Sequence, residues 1–275
     1  MKTCVWSTDK HGLKSCPFSG TATRVSQGLL QGVESAPALF APVCAPPGPS
    51  LAPAMWESLT MLRRPSPGEQ RDLRLQVLRL GSMVEESLCL ARAVLAGPNL
   101  ELAPQVRLED NRIDRLYKDL EERCLFLLSH RRSTQQETRR LIVYLQAIRD
   151  LERIGDYCKD LSTTGERLLP YQPLVVRDDL LTMLDRSRSL LAMALEALSC
   201  HDASAGQRLI ALDDLVDQDY ANIYEQLTKG HQLQSMSREA VVLTALASRS
   251  LERLADHAVN VSRRISRGAT GAGQS

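Results

Sequence analysis

The heptapeptide LERIGDY at 151–157 returns as LERLADH at 251–257, and each copy lies in a long stretch of helical period. A chain that repeats a helical segment at this distance is a duplication, so its fold must be two related units of about 100 residues. Over the windows 151–162 and 251–262, Leu, Glu, Arg, Asp and Ser recur at the same places, and Glu152, Asp156, Glu252 and Asp256 are among them. Carboxylates kept at matched positions while their neighbours diverge point to a shared role.

Composition agrees with helices. Aromatic residues make up only 4% of the 275, against 43% hydrophobic residues overall, a balance typical of helical bundles rather than sheets. This hydrophobic content supports one large core or two modest ones, and the repeat favours two. With 34 basic and 33 acidic residues there is no broad field to attract nucleic acid, and partners must be recognised locally. The seven cysteines have no CxxC spacing, so neither a zinc knuckle nor a disulfide frame is expected. No apolar run reaches the ~20 residues that span a bilayer, and no secretion signal opens the chain. A cytoplasmic protein, peripheral to a membrane at most, is the expectation.

Nine of the thirteen prolines fall between Pro17 and Pro67, which sets 1–66 apart as a disordered Pro/Ser/Gly-rich extension, or as residues upstream of a true start at Met55 or Met61. Six helical stretches follow. They are expected at about 69–96, 104–129, 134–168, 174–200, 204–229 and from Ser235 or Ser237 to about 267, divided by Gly97-Pro98, His130 to Ser133, Pro170 and Pro173, His201-Asp202 and Gly230. The expected units are 67–170 and 171–268, with a flexible tail at 269–275. Breaks this short make neighbouring helices antiparallel, so the fold class is all-α, two tandem pseudo-symmetric three-helix bundles.

On the second helix of each half, Asp110, Ile113, Asp114 and Tyr117 match Asp213, Val216, Asp217 and Tyr220 as DxxφDxxY. Each half therefore carries two (Asp/Glu)xxxAsp pairs, and a spacing of four stacks both carboxylates on one helix face. The seam Val106, Asp110, Ile113, Tyr117, Leu120, Cys124, Leu127 places an Asp in an apolar row, and Leu209, Asp213, Val216, Tyr220, Ile223, Leu227 does so again. On the third helices, Gly155 and Ala255 beside the glutamates leave room for another group. Four carboxylates leaving water together need raised pKa values, basic partners or a metal. Oxygen-only donors suit magnesium, manganese, calcium or iron better than zinc. The plainer alternative is solvated helix faces paired with Arg153 and Arg253. His257, matched by Tyr157, reads as an amphipathic surface residue, Cys158 as core, Tyr117 and Tyr220 as packing aromatics bonded to a carboxylate. Arg263, Arg264 and Arg267 read as cations complementing the last helix's dipole.

DNRIDRLY, RDLERIGDY, DDLVDQDY and SLERLADHAVNVS together resemble the PhoU family of phosphate-signalling regulators over about residues 69–267. The resemblance implies two tandem three-helix bundles and, as in several members, multinuclear sites for iron or another metal. The implied ligands are Asp110, Asp114, Glu152 and Asp156 in one half and Asp213, Asp217, Glu252 and Asp256 in the other. It also implies a non-enzymatic negative regulator of the phosphate regulon, often dimeric, that links the ATPase subunit of the phosphate ABC transporter to a sensor histidine kinase. The competing reading is a carboxylate-bridged dimetal enzyme on a helical bundle, such as an oxidase or hydrolase. Ferritin-like enzymes need ExxH pairs, which this chain lacks, and no P-loop, nucleophile elbow or HExxH motif replaces them.

Overall fold

The computed structural model describes residues 67–97, 99–129, 134–200, 202, 204–229 and 236–270. The extension at 1–66 lies outside the described residues, as do 271–275 of the expected tail. The long helices are α1 (Pro67–Ala96), α2 (Ala103–Ser129), α3 (Gln135–Leu168), α4 (Arg177–Cys200), α5 (Ala205–Lys229) and α6 (Arg238–Thr270), with single 3₁₀ turns at Leu100–Leu102 and Leu169–Tyr171. The described residues contain no strand, and none of their helices is long and apolar enough to cross a membrane.

Local chemistry sets the helix ends. Thr134 caps α3: its side chain accepts from Glu137 N, and the Glu137 carboxylate accepts from Thr134 N, two orphan amides satisfied reciprocally. Ser237 does half of this for α6, accepting from Ala240 N at 3.1 Å. The fourth helix starts at Arg177, three residues later than its apolar pattern suggests, because the 3₁₀ turn at Leu169–Tyr171 and the Gln172-Pro173 peptide keep the chain irregular there. Leu174 and Val176 are nevertheless buried. At the other end, α6 continues through Thr270, so the first residues assigned to a flexible tail are helical.

Helices α1–α3 pack on one another, as do α4–α6, and the halves meet chiefly along α3 and α6, with α1 against α4. The expectation of two separate cores is corrected. Buried side chains form one continuous apolar cluster running from Leu73 and Leu80 in α1 through Ile148 and Leu151 to Leu180, Leu251 and Ile265. Both third helices present apolar residues on more than one side, Leu141, Ile148, Leu151 and Ile154 in α3 for example, so each is buried by its own half and by the other. Gly81 shows how close the halves come, since a methyl group added there would overlap the Leu195 side chain of α4. Fully burying a leucine contributes about 2 kcal/mol, so the apolar residues packed along this joint add to the stability of the whole.

Candidate carboxylate clusters

The α2 seam is built as its pattern suggests: Val106, Ile113, Leu120, Cys124 and Leu127 are buried, and Asp110, only 6% exposed, is buried in the same row. Asp114 lies one turn on and is half-buried, while Glu152 and Asp156 come near from α3. Desolvation pushes Glu152 above the usual carboxylate range, and the negative charges of Asp156, Asp114 and Asp110 push it further. The four carboxylates of the first half thus feel one another. A cation is already among them: Lys159 Nζ donates to Asp110 Oδ2 at 2.8 Å and to Asp156 Oδ1 at 3.3 Å, tying α2 to α3. Asp110 is raised on balance, by burial first and by the charges of Asp114 and Asp156, against the opposing hydrogen bond and charge of Lys159; burial draws the Lys159 ammonium down, but Asp110 and Asp156 outweigh it and raise it on balance. Asp160, also raised by burial and by Asp156, adds a further acid at the edge.

The second half repeats the carboxylates without the lysine. Position 259, which corresponds to Lys159, is a fully buried Val259, and Asn260 stands where Asp160 does. Asp213 is pushed up to about 6 by desolvation and then by Asp217 and Asp256, with Arg263 partly opposing. Asp217 is raised by burial, Asp256 and Asp214. Cations sit instead at the rim, on Glu252. Arg249 donates to its Oε1 at 2.7 Å and lies over the Tyr220 ring, 5.8 Å from its centre; Arg253 is 3.8 Å from Oε2. Glu252 Oε2 itself is buried and has no hydrogen-bond partner.

In neither half are the oxygens already drawn onto one point: among the described residues, no group of three or more His, Cys, Asp and Glu side chains is placed to hold a metal ion. The room expected beside Glu152 is also taken, because a Cβ on Gly155 would lie 3.2 Å from Cγ2 of Ile113, the seam residue that packs into the gap. Tyr117 does bond a carboxylate, but that of Glu121 at 2.7 Å. Arg153 approaches Asp156 at 3.4 Å and Glu152 at 3.7 Å, both long, so the paired-surface alternative describes the rim and misses Lys159 and Arg249. Cys158 is fully buried, and desolvation raises its thiol far above the usual range, which makes it a core residue.

One buried charge belongs to neither cluster. Asp150, 3% exposed on α3, receives Nε of Arg264 at 2.6 Å and Nη2 at 3.2 Å from α6, with His257 Nδ1 at 3.1 Å. The His257 ring also packs beside Tyr157, centres 5.9 Å apart. His257 is therefore half-buried rather than a free surface residue, and it and Arg264 both reach Asp150 of the other half. Their matched positions, Ser250 for Asp150 and Thr164 for Arg264, cannot form a second copy.

The PhoU domain model matches this chain twice, at residues 77–164 and 180–265. The chain is 35% identical over 195 residues to the phosphate-specific transport system accessory protein PhoU homolog of Synechocystis sp., covering 71% of this chain and 87% of that protein. It is 28% identical over 195 residues to the corresponding PhoU of Escherichia coli, covering 70% and 80%. Among solved structures, PhoU from Pseudomonas aeruginosa superposes with a TM-score of 0.70 at 26% identity, covering 74% of this chain and 98% of that one. The phosphate transport system regulatory protein PhoU from Streptococcus pneumoniae gives 0.68 at 27% identity, covering 74% and 96%. With both halves matched, in order and across both bundles, the chain belongs to the PhoU family.

Proposed function

We propose that this protein is an accessory regulator of phosphate transport that represses phosphate-starvation genes when phosphate is plentiful. It acts by binding rather than by catalysis, as an adaptor between the ATPase subunit of a phosphate ABC transporter and a sensor histidine kinase, and it works as a homodimer. The observation that carries this reading is the double match to the PhoU domain, with relatives named for the phosphate-specific transport system over most of their length. The continuous core supports it too, since two halves that share one core present rigid helical faces to partners. Deletion of the gene is expected to leave phosphate-starvation genes expressed in high-phosphate medium; normal repression in the deletion strain would refute the adaptor role.

Metal belongs to this reading through the carboxylates. The second half fits a hard cation: its donors are all oxygens, Glu252 Oε2 is buried without a hydrogen-bond partner, and no ion pair is formed by Asp213, Asp217 or Asp256 among the described residues. Asp213, Asp217, Glu252 and Asp256 would hold magnesium, manganese or iron, which would neutralise them and brace α5 against α6. Side-chain rotation has to complete that set. The first half, with Lys159 between Asp110 and Asp156, does not fit in the same way.

A further inference from the structure

We propose that Lys159 is a built-in counter-cation that closes the first carboxylate cluster to metal, so that metal uptake by this chain falls to the second half. The inference rests on the metal reading given above and narrows it to one half. Four observations support it. The Lys159 ammonium bridges Asp110 on α2 and Asp156 on α3, the two helices that an ion held by this cluster would have to join. Its partner Asp110 is almost fully buried, with the side chain 9% exposed, so the ammonium cannot be replaced there by water at no cost. Lys159 itself is held from both sides, and a divalent ion arriving a few ångströms away would meet its positive charge in a partly desolvated site. The repeat supplies the internal control: the same register position in the second half is Val259, and it is in that half that a buried carboxylate oxygen, Glu252 Oε2, has no hydrogen-bond partner among the described residues.

Lys159→Met keeps the length and the apolar stem and removes only the charge. The full chain, stripped with chelator and titrated with Mn²⁺ alone in a calorimeter, is expected to take up metal that is lost in Asp213→Asn, Glu252→Gln and unchanged in Asp110→Asn, Glu152→Gln. Lys159→Met is expected to gain uptake, and adding Asp110→Asn to it is expected to remove the gain. Loss of Mn²⁺ uptake in Asp110→Asn, Glu152→Gln with Lys159 present overturns the inference while leaving the metal reading intact, as does a Lys159→Met protein that gains nothing. Absence of uptake by every variant overturns the metal reading, and with it the assignment of metal to the second half.

Melting of the metal-free proteins then tests the counter-cation alone. Lys159→Met is expected to melt about 4 °C or more below the parent, with Asp110→Asn restoring most of the loss. An unchanged Tm in Lys159→Met overturns the inference whatever the metal titration shows.

Discussion

The two halves of this molecule share their helices, their seams and their eight motif carboxylates, yet they balance charge in different ways. In the first half a lysine joins the two helices, Lys159 on Asp110 and Asp156, with Arg153 at the rim 3.4 Å from Asp156 and 3.7 Å from Glu152. In the second half the cations are at the rim, Arg249 and Arg253 on Glu252, while Asp213 and Asp217, one turn apart on α5, form no ion pair among the described residues. Duplication thus preserved the backbone register more strictly than the electrostatics. A helix pair tolerates the exchange of Lys159 for Val259 because the aliphatic stem of lysine fills much the same space, and only the charge at its end changes. The seam between the halves departs from symmetry further still: the Asp150, Arg264 and His257 clasp exists once and has no counterpart.

That single clasp gives the largest expected effect. Asp150 is nearly inaccessible and Arg264 meets it through two nitrogens, a geometry in which removing one partner strands a buried charge. Arg264→Ala is expected to cost about 3 kcal/mol, or about 6 to 12 °C in Tm for a unit of this size. Asp150→Asn added to it should recover more than half, because the stranded charge is then gone. Thermal melting of the two variants beside Ser250→Ala, which should be silent, checks the asymmetry. If Arg264→Ala melts with the parent, α3 and α6 are held by apolar packing alone.

Much of this architecture was legible in the sequence, and what was hidden is of one physical kind. Apolar periods and breakers located all six helices, and the α2 seam read residue by residue from Val106 to Leu127 is buried as expected, except for a half-exposed Tyr117. Those are local properties, fixed by which residues lie on one face of one helix. Contacts between halves are not local. The Asp150, Arg264 and His257 clasp has no signature in the repeat, because matching one half against the other finds only what is duplicated, and this clasp is not. Lys159 lay in plain view within the compared windows, opposite Val259. Its charge was the signal: a lysine three residues after a motif Asp, on the same face, is placed to neutralise it. Gly155 misled in the opposite sense, since the space beside a glycine was filled by Ile113 from the facing helix.

The next effect separates the clusters by pH. A rise of Asp213 from 3.8 to about 6 corresponds to about 3 kcal/mol at full burial, and because the side chain is partly exposed, solvent screening leaves about 1 kcal/mol. The sign follows from the folded state holding the proton more tightly than the unfolded one. Below about pH 4 the group costs nothing; the penalty grows between about 4 and 6 and is complete above that. In metal-free protein Asp213→Asn should therefore raise Tm at pH 7.5 by about 2 to 4 °C and leave it unchanged near pH 4. Asp110→Asn should raise it less at pH 7.5, because there the mutation also takes a partner from Lys159. Equal gains from the two substitutions would mean that Lys159 does not distinguish the clusters.

The smallest expected effect tests whether burial, rather than the number of bonds, makes the clasp matter. Another polar bridge crosses the α3 and α6 joint, at the surface: Glu239 on α6 accepts from Arg167 Nη2 at 3.0 Å and from the Tyr171 hydroxyl at 2.9 Å. Counted as hydrogen bonds it resembles the Asp150 contact, and it also lowers the Glu239 carboxyl below its ordinary range. Yet its charges are exposed, so water replaces each lost bond and salt screens the attraction. Glu239→Gln at about 0.15 M ionic strength should melt with the parent, and raising the salt further should not part them. A loss approaching that of Arg264→Ala would show that the two bridges act as one network along the α3 and α6 joint, and that the buried aspartate is not the centre of it.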